Sequence, residues 1–257
     1  PAKYREVSAF LAAIDMPEEM AEAVLAFLRN EPEQNKASCY EGVPALAAHL
    51  LLSAKNRVDG PWKGLPETIF IATMGCFSRF VREHFRSYGT WGFDRDFWTT
   101  RQANARLFRI GELEYELAEG EQGEKEIWLH IPSDARLFPS LLNASVRDAR
   151  AFLRDYFPQY AGLPVQLESW LIWPGLGNML QPSSRILHFQ QAFDVQKTEA
   201  DATDYLEWVF QVAGGQRESV VLADLPENTS LQRAMKAHLL TGGKIGIGYG
   251  VLAREFL

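Results

Sequence analysis

Arg106-Leu107-Phe108-Arg109-Ile110-Gly111-Glu112-Leu113-Glu114-Tyr115-Glu116-Leu117 is where the chain changes character. Upstream of it, apolar residues recur at helical spacing. From it onward they alternate: Leu113, Tyr115 and Leu117 interleave with Glu112, Glu114 and Glu116. That period of two predicts a strand over 107–117, interrupted at Gly111, with the three glutamates turned outward. Glu119-Gly120-Glu121-Gln122-Gly123-Glu124 reads as a polar turn, and 127–131 as a second strand, so the two form a hairpin.

Upstream, Pro17-Glu18-Glu19 opens a helix, proline suiting a first turn and acids its dipole, with Met20, Val24, Phe27 and Leu28 as its apolar stripe. Pro44 opens another around Leu46, Leu50 and Leu51. A long third helix starts at Pro66-Glu67 and carries Ile69, Phe70, Thr73, Met74, Phe77, Phe80, Val81 and Phe85 on one side. Arg79, Arg82, Glu83 and Arg86 take its other side.

Downstream, 140–156 is an amphipathic helix ended by Phe157-Pro158. Two apolar runs of strand length follow, 165–173 and 185–195. Next come a helix capped at Thr198, a short strand at 220–222, and a helix from the capping box Thr229-Ser230-Leu231-Gln232 to Gly242-Gly243. A terminal strand covers 245–256. This order predicts an α/β (α+β) domain over 104–257, with a mixed sheet flanked by helices, preceded by an all-α domain over 1–103.

The composition sets bounds. The chain of 257 residues is 47% hydrophobic, ample for one or two cores, and its 23% charged residues are ordinary for a globular protein. A net charge of −7 argues against non-specific nucleic-acid binding, which needs a basic surface. No run approaches the roughly 20 apolar residues of a membrane helix. The polar start, Pro1 to Glu6, lacks a signal-peptide core, so a cytoplasmic location is expected. Cys39 and Cys76 form no metal or redox motif and read as two reduced thiols. No His-x-x-x-His or Cys/His cluster has metal-ligand spacing, and no Gly-x-Ser-x-Gly elbow or Gly-x-Gly-x-x-Gly turn occurs. Oligomeric state is not written in these patterns.

Several segments together carry a resemblance. They are 106–116, His130-Ile131-Pro132, Ser169-Trp170-Leu171, Ser184-Arg185-Ile186-Leu187-His188-Phe189-Gln190 and Leu225-Pro226-Glu227-Asn228-Thr229-Ser230-Leu231-Gln232-Arg233-Ala234. In this order they resemble a family of bacterial acyltransferase-like proteins that pair a helical N-acyltransferase N-terminal domain with a GNAT-like C-terminal domain. The resemblance implies an acyl-CoA co-substrate, whose pantetheine arm lies between two splayed parallel strands in mid-sheet. Its pyrophosphate would sit at the turn that follows. An acceptor amine, deprotonated by a carboxylate or a water, would attack the thioester directly. The Gln/Arg-x-x-Gly-x-Gly/Ala loop that holds the pyrophosphate in many such enzymes has no counterpart string here.

With 165–173 and 185–195 taken as the splayed pair, Glu168 is the candidate base, because burial in an apolar strand raises a carboxylate pKa. The alternative is a structural carboxylate neutralised by an arginine. His188 on the next strand would relay a proton, or be an ordinary rim histidine. Ser169 would bond the thioester or merely its own backbone. His130, ending a strand, is a further candidate. Trp173, Gly175, Gly177 and Asn178 occupy the place of the pyrophosphate loop, or form a plain turn. Gly246, Gly248 and Gly250 leave one strand face without side chains, open to a ligand or to a helix or aromatic ring. Lys244 beside them would meet a phosphate, or water. The expected activity is transfer from an acyl-CoA or similar thioester to a small amine or hydroxyl acceptor, without metal. The alternative is an inactive GNAT-like binding or scaffold protein.

Overall fold

The computed structural model describes residues 2–29 and 40–257. The chain forms two compact units, Pro1–Ile110 and Gly111–Leu257. Cys39 lies outside the described residues; Cys76 is buried.

In the first unit, α1 (Ala2–Ala13), α2 (Glu18–Leu28), α3 (Val43–Asp59), α4 (Glu67–Tyr88) and α5 (Asp96–Ala103) precede a short strand, β1 (Leu107–Ile110). All three proline-headed starts fall where the sequence places them: Pro17 precedes α2, Pro44 lies in the first turn of α3 and Pro66 precedes α4. Trp62, fully buried, organises the core. Its ring meets Phe70 and Phe108 edge-on, each at 5.2 Å, and its indole N–H donates to the Gln102 carbonyl at 2.8 Å. Most of the α4 stripe is buried, but Phe27 of α2 and Phe85 of α4, which the stripes assign to the core, are exposed. The reverse holds on the charged side of α4. Glu83 is buried, Arg79 is nearly so, and the two lie 3.6 Å apart with the Arg79 guanidinium over the Phe80 ring.

In the second unit, Gly111 (φ 61) breaks the run that the sequence reads as one strand. β2 (Leu113–Glu119) begins just beyond it, and β3 (Lys125–His130) returns antiparallel to β2. α6 (Pro139–Tyr156) then carries the chain to β4 (Val165–Ser169). The sheet of this unit runs β2-β3-β4-β6-β5, with β5 at Phe193–Glu199 and β6 at Ile247–Leu252. α6 buries Leu142, Val146, Ala149, Phe152 and Leu153. The Tyr115 hydroxyl, 3.0 Å from Ser145 Oγ, fastens α6 to the sheet, and burial pushes its pKa far up.

Four expectations are corrected. Segment 185–195 is not one strand. Its first part is α7 (Arg185–Gln190), because the Ser184 hydroxyl accepts from the Ile186 N–H and caps a helical turn that buries Phe189. Thr198 lies inside β5, not at a helix start, and 220–222 is no strand. The run 165–173 ends as a strand at Ser169. Its hydroxyl accepts from the Leu171 N–H at 3.1 Å and starts a 3-10 turn, Trp170–Ile172.

Residues between β5 and β6 form a helical lobe with α8 (Tyr205–Phe210) and α9 (Ser230–Leu240). The capping box at Thr229 and Gln232 forms as the sequence predicts. The lobe's core, around Met235, Leu206, Phe210 and Ile245, takes in Trp170 and Leu176 from the turns after β4. The glycine-alternating face of β6 is used for packing. A Cβ on Gly246 would stand 2.5 Å from the Trp173 indole nitrogen, and one on Gly248 would stand 2.6 Å from the Ile172 carbonyl oxygen.

Two substitutions test this packing by denaturant unfolding. Trp62→Ala should cost about 3–5 kcal/mol through the cavity it leaves. Gly248→Ala forces its methyl against a backbone oxygen and should cost about 1–3 kcal/mol. Wild-type midpoints would contradict the description of either contact.

Candidate active site

β3 and β4 are parallel neighbours, and they part. Their ladder holds Ile127 opposite Val165 and Trp128 opposite Gln166, then stops, although β3 runs on to His130 and β4 to Ser169. Each lip of the opening stays anchored on its outer side. β3 keeps its antiparallel pairing with β2 up to Glu114 opposite His130. β4 keeps its antiparallel pairing with β6 up to Ser169 opposite Gly248. The gap is therefore a fixed feature of the sheet, held from both outer sides.

The splayed pair is thus β3 and β4, not segments 165–173 and 185–195. β6 lies between β4 and β5 and pairs antiparallel with both. A strand returning from more than 40 residues downstream leaves no local mark that it will insert there.

Register places one set of side chains on the same face across the gap. Glu114 and Glu116 stand opposite His130 and Trp128, Trp128 opposite Gln166, and Glu168 opposite Tyr249. Lys197 and Glu199 continue the row from β5. The opposite face carries buried Tyr115, Leu117, Ile127, Leu129, Val165 and Leu167.

On the polar face, His130 Nε2 and Glu116 Oε2 are 2.8 Å apart, with His130 28% exposed and Glu116 14% exposed. A carboxylate bonded to one ring nitrogen fixes the imidazole's orientation and stabilises the cation it becomes on taking a proton. Glu112, expected to point outward, is buried. Both its oxygens hold Arg136: Nε at 3.0 Å and Nη2 at 2.7 Å on one, and the backbone N–H at 2.8 Å on the other. This clamp sets the 131–138 loop that leads from β3 into α6. α6 itself starts without a side-chain cap; Pro139 has no N–H, the Leu141 and Leu142 N–H groups donate to the Phe138 carbonyl, and the helix's positive dipole end lies at this start. Arg185 lies 4.4 Å over the ring of Phe138, the residue before that helix.

Across the gap, Tyr249 keeps its proton. Burial first, then the carboxylates of Glu168 and Glu199, raise its pKa. Lys197 lies over its ring and hydrogen-bonds Glu199, which raises the lysine pKa and lowers that of Glu199.

The residues singled out from the sequence distribute unevenly over this geometry. Glu168 is on the β4 lip, on the same face as His130, exposed and beside Tyr249 rather than buried next to an arginine. Ser169 caps its own turn. His188 is on α7, so no strand carries it beside Glu168. Gly175 makes room for Trp173, whose ring would lie 2.2 Å from a Cβ there. Gly177 and Asn178 are exposed in the same 3-10 turn, and Lys244 pairs with Asp201 at 2.8 Å. Alternation alone does not single out Glu116 and Glu112, because it does not say which face is wet. The available signal is hairpin register, which sets Glu114 and Glu116 beside the strand end at His130. Among the described residues no group of His, Cys, Asp and Glu is arranged to hold a metal, and no helix is long and apolar enough to cross a membrane.

A mixed sheet parted between two parallel strands, with a helix starting just past one of them, is the GNAT architecture. Residues 107–252 match the family described as the GNAT-like C-terminal domain, and residues 61–105 match the N-acyltransferase N-terminal domain. The chain belongs to the GNAT-like C-terminal domain family. Solved structures share the fold. One is an acyltransferase in complex with decanoyl-CoA and teicoplanin, 23% identical, covering 96% of this chain and 86% of that one, with a TM-score of 0.80. Another is an acyltransferase mutant in complex with octanoyl-CoA, also 23% identical, covering 97% and 88%, with a TM-score of 0.81. At that identity the likeness speaks for the fold. No curated protein matches the chain.

Proposed function

We propose that this chain transfers an acyl group from an acyl-CoA, held between β3 and β4, to a small nucleophilic acceptor on the polar face, with His130 as general base. The carrying observation is the coincidence of the parted ladder with the His130–Glu116 pair at its lip. The stopped ladder leaves room between the lips for a pantetheine arm, whose two amide groups can lie there as an added strand would. The positive dipole end of α6, just past the β3 lip, suits the pyrophosphate. Structures of this fold in complex with octanoyl-CoA and decanoyl-CoA support a medium-length acyl chain, and the one with teicoplanin supports a small-molecule rather than protein acceptor.

Chemically, the acceptor nitrogen or oxygen loses its proton to the imidazole and attacks the thioester carbonyl. Collapse of the adduct breaks the carbon–sulfur bond, and the departing thiolate takes the proton from the imidazolium and leaves as the thiol. Glu116 is a positioning residue: it orients His130 and balances the imidazolium. Glu168, on the opposite lip, is placed to attract a cationic acceptor.

The 131–138 loop contains no glycine and carries Asp134. This favours a second reading, a binding protein without turnover. The two readings part on rate. His130→Ala should lower the rate of acyl transfer about 10²- to 10⁴-fold while octanoyl-CoA affinity is retained. Glu116→Gln should cost less, again with octanoyl-CoA affinity retained. Absence of octanoyl-CoA and decanoyl-CoA binding at millimolar concentration, by calorimetry, would contradict the donor site. Binding with no transfer to any amine or hydroxyl offered would leave the second reading.

A further inference from the structure

A groove away from the parted strands runs along α6. Its walls are α6 from Asn143 to Arg154, the Ala161-Gly162 turn and the segment from Leu252 to Phe256, enclosing about 770 Å3. That volume is in the range of small-molecule sites. The far wall is fastened down. The Asn143 side chain donates to the Phe256 carbonyl at 3.0 Å and accepts from the Phe256 N–H at 2.9 Å, and the Phe256 ring stacks on Phe189 at 5.3 Å. Gly162 (φ 78) has nothing within 4 Å of where a Cβ would stand, so the mouth stays open.

Arg147, Arg150 and Arg154 line the groove from α6, and Arg254 lines it from the opposite wall. Spaced i, i+3 and i+7, the first three share one side of the helix, where like charges repel. In a chain of net charge −7 such a stripe is not a sample of the average surface. Arg147 and Arg154 pair with the adjoining Asp148 and Asp155, and Arg254 pairs with Asp194, all at exposed positions. Pairs of that kind contribute little and exchange readily for a better anion. Arg150 makes no hydrogen bond or ion pair among the described residues. Glu255 is the groove's acidic residue, and Val146, Ala151 and Leu252 give it an apolar floor.

We propose that this groove is a second ligand site, for a phosphorylated small molecule with at least two phosphate charges and an apolar or aromatic body. A guanidinium fits a phosphate through two parallel hydrogen bonds. Arg154 already makes such a fork to Asp155, at 2.8 and 3.3 Å, at an exposed position where a phosphate of higher charge competes for it, whereas no aspartate adjoins Arg150. Arg147 and Arg154 stand about 10 Å apart along the helix, so one phosphate does not serve both. The apolar floor accounts for the body. A nucleoside diphosphate meets these demands, and so does a phosphorylated amphiphile. The groove's ligand does not depend on acyl transfer.

The test is calorimetric titration of the full chain with ADP, hexyl diphosphate and inorganic pyrophosphate, in the wild type and in Arg150→Ala/Arg154→Ala. Both positions are exposed on a helix, where alanine is well tolerated. ADP or hexyl diphosphate should bind more tightly than pyrophosphate, and whichever binds better names the body. The double variant should weaken that binding about tenfold or more, with octanoyl-CoA affinity unchanged. Three results overturn the proposal: no binding of any of the three at millimolar concentration, binding indifferent to the double variant, or an equal loss of octanoyl-CoA affinity. The last would make the arginines part of the donor site. If octanoyl-CoA does not bind at all, the diphosphate arms still decide.

Discussion

A ladder of hydrogen bonds that stops governs the rest of the structure. β3 and β4 pair over two rungs and then separate, while β2 and β6 hold each of them in place from outside. Breaking two or three rungs in mid-sheet costs hydrogen bonds that a continuous sheet would keep. The outer pairings make the break tolerable and rigid. Everything chemical follows from it. His130 and Glu168 stand on opposite lips because the last residues of both strands lie beyond the final rung, and α6 begins just past one lip because the chain must cross over to make the pair parallel.

What surrounds the gap keeps it from closing. Glu112, buried under the loop it clamps through Arg136, fixes the path from β3 to α6. On the β4 side, Ser169 caps a 3-10 turn, and that turn lies against the bare face of β6, where Gly248 lets the Ile172 carbonyl approach. Gln190 of α7 donates to the Leu171 and Trp173 carbonyls at 2.9 and 3.0 Å and holds the same turn from another direction. Three glycines, one serine and one glutamine thus replace a continuing strand with a fixed corner, and the helical lobe between β5 and β6 packs its core on that corner through Trp170 and Leu176.

Much of the fold is legible in the sequence because it is local. Proline-headed helices, the capping box at Thr229 and the alternation in β2 declare themselves within a few residues. The parallel pair is not legible, for two reasons. Six residues from Arg185 to Gln190 are as apolar as a strand, and only the Ser184 cap marks them as helix. The insertion of β6 between β4 and β5 is a long-range event that no short pattern encodes. The expectation of a gap between parallel strands is sound; its assignment moves one strand along. With it moves the proposed centre of the site, from Glu168 and His188 to His130 and Glu116. The alternating glycines of β6 leave a ligand and packing equally open in the sequence, and packing by Trp173 and Ile172 is what they serve.

Amide hydrogen exchange, with and without octanoyl-CoA, tests the parted pair most directly. Free protein should show fast exchange at the ends of β3 and β4 relative to Ile127 and Val165, since those ends lack rungs to each other. Adding octanoyl-CoA should slow exchange in peptides spanning 129–140 and 166–170 and leave β5 unchanged. Uniform protection along both strands in the free protein, or ligand protection confined to 173–178 and 244–246, would contradict it.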